Sequence, residues 1–106
     1  MTTKIPSSLL EQPSLGISQT WQSVTGSRAL DTLYTNTTDR SIVVSLTCTI
    51  TDDGVDLEVG GVVIMTADAT TSTFKIPLTA IVPPGSTYRA IQARNSAVLL
   101  SWNELR

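Results

Sequence analysis

The sequence contains no histidine, and Cys48 is its single cysteine. Histidine is the side chain that most often serves as general base, proton shuttle or metal ligand near neutral pH. One cysteine cannot form an internal disulfide, nor can it build a zinc site from several thiolates. No glycine-rich segment leads into a helical pattern, as a phosphate-binding loop would require. These absences argue against an enzyme and against a cofactor or metal held by this chain.

Charge and long apolar runs are also scarce. Charged residues make up 15% of the chain and the net charge is −2, so the chain has no field that would attract nucleic acid or an anionic membrane. No apolar run approaches the roughly 18 residues of a membrane span. The segment from Met1 to Ser8 predicts neither a signal nor a transit peptide. We therefore expect a soluble product of the cytoplasm, with no nucleic-acid partner and no membrane insertion.

What the sequence has in abundance is alternation of apolar and polar residues, which is typical of strands with one dry face. From Ile42 to Ile50 every second residue is apolar, and serine and threonine dominate the positions between them. Residues 55–59 and 62–65 flank Gly60-Gly61, which predicts a tight hairpin because glycine tolerates positive φ. Further strands are predicted at residues 20–24, 29–34, 72–78, 87–93 and 97–103, with turns at 36–39, 52–54, 83–86 and 95–96.

Seven or eight short strands, spaced about ten residues apart, are typical of a sandwich or barrel. The predicted fold class is therefore all-β, as a single antiparallel β-sandwich of the jelly-roll kind. Residues 1–15 lack the alternation and are predicted to form a short extended N-terminal arm before a sandwich domain at 16–106. The arm is either a frayed terminus or a segment whose Ile5, Leu9 and Leu10 pack on a neighbouring subunit.

Several apolar side chains are candidates for contact between subunits. Trp21 and Trp102 pack in the core or at a strand edge by default, but aromatic residues are also enriched at interfaces and at sugar-stacking sites. Val43, Val63 and Leu99 fall opposite the more apolar faces of their predicted strands. The candidate interface comprises Ile5, Leu9, Leu10, Trp21, Val43, Val63, Leu99 and Trp102; no catalytic, cofactor-binding or metal-binding residue is assigned.

Acidic residues cluster between positions 52 and 58. They offer the oxygen ligands that calcium prefers, but they lack the spacing of a calcium-binding helix-loop-helix. Acids on the solvent face of a strand are the preferred interpretation, and a metal site is the alternative. The cluster consists of Asp52, Asp53, Asp56 and Glu58, with Asp68 joining it if the fold brings it near.

Other polar and reactive residues have unremarkable predicted roles. Cys48 lies on an apolar strand face, which predicts a buried and inert thiol. The Asn36-Thr37-Thr38 triplet matches a glycosylation sequon but is interpreted as a turn. The arginines are scattered and balanced by acids, so they are expected to form ion pairs within or between subunits; they are Arg28, Arg40, Arg89, Arg94 and Arg106.

Four segments together resemble a domain common in bacteriophage structural proteins, especially at the C-terminal ends of tail fibres and related receptor-binding proteins. They are LGISQTWQSVTGSRAL at 15–30, YTNTTDRSIVVSL at 34–46, VPPGSTY at 82–88 and SWNELR at 101–106. The resemblance covers roughly residues 15 to 106, and the stretch from 47 to 80 does not carry it. As a joint pattern in this order it is fairly specific.

The resemblance implies a structural protein of the virion surface, without catalysis and often trimeric. We therefore expect a homo-oligomer, with a trimer as the best estimate, that docks on other tail or capsid proteins and contacts a host-surface glycan or receptor. A tail-fibre or tail-tip component for host attachment is preferred. Because the sequence shows no fibre shaft, capsid decoration is the alternative, and a stand-alone carbohydrate-binding module is a further one.

Overall fold

The computed structural model describes residues 14–106, which fold into one six-stranded antiparallel sheet. The sheet order is β1-β6-β3-β5-β2, and β4 lies on the other edge of β3. A short 3-10 turn, Thr25–Ser27, follows the first strand. The strands are β1 (Trp21–Ser23), β2 (Tyr34–Thr35), β3 (Ile42–Val59), β4 (Val62–Val82), β5 (Thr87–Gln92) and β6 (Val98–Leu105).

The predicted all-β class is confirmed, but the structure has one curled sheet, a half-barrel, where two separate sheets were predicted. The difference arises at residues 52–54, where the sequence predicts a turn and β3 instead continues. Asp52 takes a left-handed backbone with φ of 47°. Opposite it, Thr70–Ser72 interrupt the register of β4, so that Thr51 pairs with Thr73 but Asp53 pairs with Ala69. A bulge of this kind bends both strands without ending their ladder.

The bend brings the two halves of β4 towards each other. The Met65 sulfur, in the first half, accepts a hydrogen bond from the backbone N–H of Thr79, in the second half, at 3.4 Å. β6 pairs with the first part of β3, residues 43–49, whereas β5 pairs with its last part, residues 55–59. One long bent hairpin therefore carries both sides of the curled sheet.

The hairpin turn between β3 and β4 is where the sequence places it. Gly60 and Gly61 have φ of 59° and 81°, and Val59 pairs directly with Val62. Positive φ at both central residues matches the right-handed twist of the flanking strands. This prediction is confirmed.

The core lies on the concave face of the sheet and is supplied mainly by alternate residues of β3. The alternation predicted from Ile42 to Ile50 is confirmed, because all five inward side chains are essentially inaccessible to water. After the bend, Val55 and Leu57 continue the same face. The remaining buried apolar residues are Val59, Ala67, Ala69, Leu78, Ala80, Val82, Tyr88, Ala90 and Trp102.

The strand predicted at residues 29–34 is the main local error. Only Tyr34–Thr35 form a strand there, because Asp31 takes φ of 59° and breaks the extended backbone. Side chains hold this loop in place: the Asp31 carboxylate accepts from the Gln92 backbone N–H at 3.0 Å and from its amide at 2.8 Å. No helix of the described residues has the length and hydropathy needed to cross a membrane.

Candidate interaction surface

A row of apolar side chains crosses four strands on the convex face of the sheet. Trp21 pairs with Leu105, Leu105 pairs with Val43, and Val43 pairs with Ile81. Directly paired residues of antiparallel strands share a face, so these four side chains form one line, which we call the outer row. Trp21 and Ile81, at its two ends, are each 57% exposed, whereas Leu105 and Val43 are half-buried between them.

The neighbouring row of the same face is entirely polar. It runs through Ser23, Asn103, Ser45 and Thr79, and the Thr79 hydroxyl lies 3.2 Å from that of Ser45. Trp21, Ser45 and Asn103 together line an open depression. An exposed indole beside hydroxyl and amide groups can pack on an apolar surface or on the face of a sugar ring. The backbone of Thr20 holds Trp21 in position, since Thr20 and Arg106 exchange N–H···O bonds of 3.2 and 3.1 Å.

The predicted interface residues separate into distinct groups. Trp21 and Val43 belong to the outer row, and Val63 is an exposed residue of the convex face near the hairpin turn. Ile5, Leu9 and Leu10 lie outside the described residues.

The prediction for Leu99 is wrong in its orientation. A bulge in β6 makes Thr47 pair with Ser101 but Cys48 pair with Leu99, so Leu99 turns to the concave face and packs partly buried against the core. The extra residue, Leu100, is 43% exposed instead. A bulge reverses the alternation of every residue beyond it, and the apolar run at residues 97–100 conceals its position.

Trp102 is a core residue and leaves the candidate interface. It is fully buried, and its ring lies 5.8 Å from that of Tyr34 and 6.4 Å from that of Tyr88, between centroids. Its indole N–H donates to the Glu104 carboxylate at 3.1 Å. Of the two roles open to this residue from the sequence, the structure shows packing within one chain.

Glu104 is the centre of a buried polar network beneath these rings. Its Oε2 accepts from the Tyr88 hydroxyl at 2.9 Å and from Arg28 Nε at 3.0 Å, in addition to Trp102. Its Oε1 accepts from Arg28 Nη2 at 3.1 Å and from Arg106 Nη1 at 2.8 Å. The Arg28 guanidinium also lies 4.7 Å from the centroid of the Tyr34 ring. Both carboxylate oxygens are thus fully used by side chains of the same molecule.

The electrostatics of this network favour the ionised acid. Burial alone would raise the pKa of Glu104, but hydrogen bonds from Arg28 and Tyr88 outweigh it and hold that pKa below its ordinary value. Burial, followed by the Glu104 charge, raises the pKa of Tyr88. Because no lone pair of the carboxylate is left for a substrate, the network stabilises the fold and has no free acid or base to offer.

Asp53 is the second buried acid, and it organises a loop. Its carboxylate accepts the backbone N–H of Gly54 and Arg94 at 2.7 Å each, and those of Ser96 and Ala97 at 3.0 Å each. Burial opposes ionisation of Asp53, but these four donors outweigh it and lower its pKa. The Asp53 carboxylate therefore supplies the 93–97 connection with hydrogen-bond acceptors that a neighbouring strand would supply in a sheet.

The other predicted acids do not converge on a metal site. Asp52 pairs with Arg94 at 2.6 Å, Glu58 pairs with Arg89 at 3.3 Å, and Asp56 accepts from the Thr66 hydroxyl at 2.9 Å. Across residues 14–106, no three candidate ligands are grouped closely enough to hold an ion. Asp52, Asp56 and Asp68 instead line one open groove of about 360 Å³.

Two smaller predictions are borne out, and a third is borne out in part. Cys48 is buried, and burial raises the pKa of its thiol to about 11. Asn36 is buried in a turn, where its amide donates to the carbonyls of Arg40 at 2.7 Å and Val82 at 3.0 Å. Four of the five predicted arginines form ion pairs within the chain, namely Arg28, Arg89, Arg94 and Arg106. Within residues 14–106, Arg40 instead donates to the backbone carbonyls of Ser14 and Ile17.

The roles of Glu104 and Asp53 were missed from the sequence. One signal was present for Glu104, because residues two apart in a strand share a face and Trp102 precedes it by two. For Asp53 no such signal exists, since three of its four backbone donors come from a loop about forty residues further along the chain. Comparisons with family models, with curated proteins and with solved structures found no match to this chain.

Proposed function

We propose that this protein is a non-enzymatic structural component of a bacteriophage particle, where it works by surface contact in a tail fibre or tail tip. The observation that carries the proposal is where the resemblance residues lie. Arg28 and Tyr34 come from two of the four segments, Tyr88 from the third and Glu104 from the fourth. They meet in one buried network. A pattern that is scattered along the chain but contiguous in space is what a fold-defining family signature requires.

The surface chemistry agrees with a contact role. The two buried acids are saturated by donors of the same chain, so they are not available to activate a nucleophile. The convex face carries the outer row, whose two ends are exposed apolar side chains, and contiguous exposed apolar surface marks contact sites on proteins. A virion module must dock on its particle through such a face, and the target by this proposal is another tail or capsid protein.

Antibody labelling of particles tests the proposal. Particles released from the bacterial culture that carries the gene would be labelled with gold-conjugated antibody against this chain and imaged. Gold at the tail tip is the expected result, and gold over the head would favour the capsid-decoration alternative. An absence of label on every particle, with the chain present only in the soluble fraction, would contradict both.

A carbohydrate-binding module is the second candidate, and the depression beside Trp21 favours it. An exposed indole flanked by the Asn103 amide and the Ser45 hydroxyl combines a stacking surface with hydrogen-bonding groups. A glycan array probed with the wild-type chain and with Trp21→Ser checks this. Binding of one glycan class that disappears in the variant would support it, whereas equal signal from both proteins would exclude a Trp21 site.

A further inference from the structure

β4 presents the longest edge of the sheet, and within residues 14–106 its outer side has no strand partner. Such an edge exposes unpaired N–H and C=O groups, and proteins usually protect it with charges, proline or irregularity. In its 21 residues β4 has two charged side chains, Asp68 and Lys75, together with Pro77. Half of the exposed large apolar side chains of the described chain lie on this strand: Val62, Val63, Ile64, Met65, Phe74 and Ile81.

The backbone directions show which residues of β4 offer hydrogen bonds at this edge. The Gly54 carbonyl accepts from the Ala93 N–H, so the backbone groups of Gly54 point away from β4. Asp68 is the residue of β4 opposite Gly54, and its own N–H and C=O must therefore point away from β3. Thr79 likewise donates its N–H to Met65 and not to β3. Backbone direction alternates along a regular strand, and Lys75 lies four residues from Thr79 in a regular part of the ladder. The N–H and C=O of Lys75 therefore also point away from β3.

We propose that β4 pairs antiparallel with β4 of a second copy of this chain, with Asp68 of each copy opposite Lys75 of the other. A two-fold axis through the bend at Thr70–Ser72 exchanges the two halves of β4, and such an axis generates this pairing. Since Asp68 pairs with Gly54 and Lys75 with Thr49, both side chains lie on the convex face. Two ion pairs then form per dimer, between residues that make no ion pair within the described part of one chain.

The concave face supports the same register. When Asp68 lies opposite Lys75, Met65 lies opposite Leu78 of the second copy, Ala67 opposite Ile76, and Ala69 opposite Phe74. All six belong to the concave face, because the bulge at Thr70–Ser72 shifts the alternation between the two halves. In two of these three pairs a small residue meets a large one, and the second copy covers Phe74 and Met65, which are 52% and 39% exposed in one chain.

This inference does not rest on the phage assignment, because it concerns the isolated chain and is measured independently of any particle. It also differs from the trimer that the resemblance implies. A closed two-fold contact uses the same surface on both copies and leaves no half-edge free for further growth.

Charge reversal combined with sedimentation tests the pairing. The wild-type chain should sediment as a dimer at micromolar concentration. Asp68→Lys and Lys75→Asp should each raise the dimer dissociation constant at least about tenfold, since each replaces two attractions with two repulsions. The double variant Asp68→Lys/Lys75→Asp should restore dimerisation. Asp39→Lys, which changes the same charge in an exposed loop, should have no effect.

The proposal would be overturned by a wild-type trimer or by a dimer that the double variant fails to restore. A wild-type monomer would overturn it as well, whether the β4 edge is open or is covered by residues 1–13. Disulfide trapping provides a second measurement should the charge variants fail to fold. In a Cys48→Ala background, Asp68→Cys/Lys75→Cys should oxidise to a covalent dimer, because opposite residues of a hydrogen-bonded antiparallel pair lie about 5.5 Å apart between Cα atoms. Thr66→Cys/Lys75→Cys, displaced by one pair of residues, should not.

Discussion

The region around Glu104 and the outer edge of β4 differ in how far their polar and apolar groups are covered. Beneath β6 and β5, the Glu104 side chain and the Trp102 ring are inaccessible to water and both carboxylate oxygens have hydrogen-bond partners; we call this the sealed region. Along the outer edge of β4, backbone groups have no strand partner within residues 14–106 and six large apolar side chains of the strand are exposed; we call this the open edge. By the β4 pairing proposed above, the first region stabilises a single chain and the second joins two copies.

The largest effect should follow from removing the Glu104 charge. Glu104→Gln leaves the Arg28 guanidinium beside a neutral amide in a largely buried site, so the free energy of unfolding should fall by roughly 3–5 kcal/mol. Urea unfolding followed by tryptophan fluorescence measures it. Glu58→Gln is the matched control: its pair with Arg89 is partly exposed, and the loss should stay below about 1 kcal/mol. Equal losses in the two variants would remove the distinction between the sealed region and the surface.

Asp53→Asn should have the next largest effect. The amide replaces one acceptor oxygen with a donor that faces backbone N–H groups, so a loss of about 1–3 kcal/mol is expected. Amide exchange should also accelerate at residues 94, 96 and 97. In Asp52→Asn, whose ion pair with Arg94 is exposed, unfolding should change by no more than about 0.5 kcal/mol. Unchanged exchange in Asp53→Asn would show that the loop is held by other contacts.

Acid should destabilise the fold through the same two carboxylates. Glu104 and Asp53 both have a pKa in the folded state below the ordinary value, so they bind protons more weakly there than in the unfolded chain. Their stabilisation is complete above the unfolded-state pKa, and it is lost as pH falls towards the folded-state pKa. The free energy of unfolding, measured from pH 7 to pH 3, should therefore decrease with falling pH. Asp53→Asn and Glu104→Gln, each measured as a single variant, should show a shallower decrease than the wild-type chain, and slopes identical to that of the wild type would contradict this origin.

The smallest effect on stability should come from Trp21. Its indole is 57% exposed, so Trp21→Ser should change the free energy of unfolding by about 0.5 kcal/mol or less. Acrylamide should quench the fluorescence of Trp21 and leave that of Trp102 almost unchanged. The Trp21→Ser protein retains only Trp102 and therefore gives the fluorescence of that residue alone. Strong quenching of Trp102 in the folded variant would mean that the sealed region is open to solvent.

Much of the fold could be predicted from local pattern, and the errors have physical causes. The concave face of β3 and the Gly60-Gly61 turn follow directly from alternation and from the conformational freedom of glycine. The continuity of β3 through Asp52 could not be predicted, because residues with turn chemistry were incorporated into a bulge whose loop partner is distant in sequence. Leu99 was assigned to the wrong face for the same kind of reason.

The candidate surface was only partly predictable. Trp21 and Val43 were named from the sequence as candidates for contact, but their alignment with Leu105 and Ile81 depends on register across four strands. The proposed pairing of Asp68 with Lys75 requires both side chains to lie on the convex face. They do so because the bulge at Thr70–Ser72 shifts the alternation between the two halves of β4, which the sequence pattern alone does not reveal. Local pattern identifies faces, whereas long-range pairing decides which faces and edges remain open.

Amide exchange resolved by residue, measured over a range of protein concentrations, tests the contrast between the sealed region and the open edge most directly. The account predicts that the β3 amides are protected at every concentration. Those of Asp68 and Lys75 should exchange fast in dilute solution and slow down as the chain associates. Protection of Asp68 and Lys75 that is already complete at the lowest concentration, or that never rises, would contradict it.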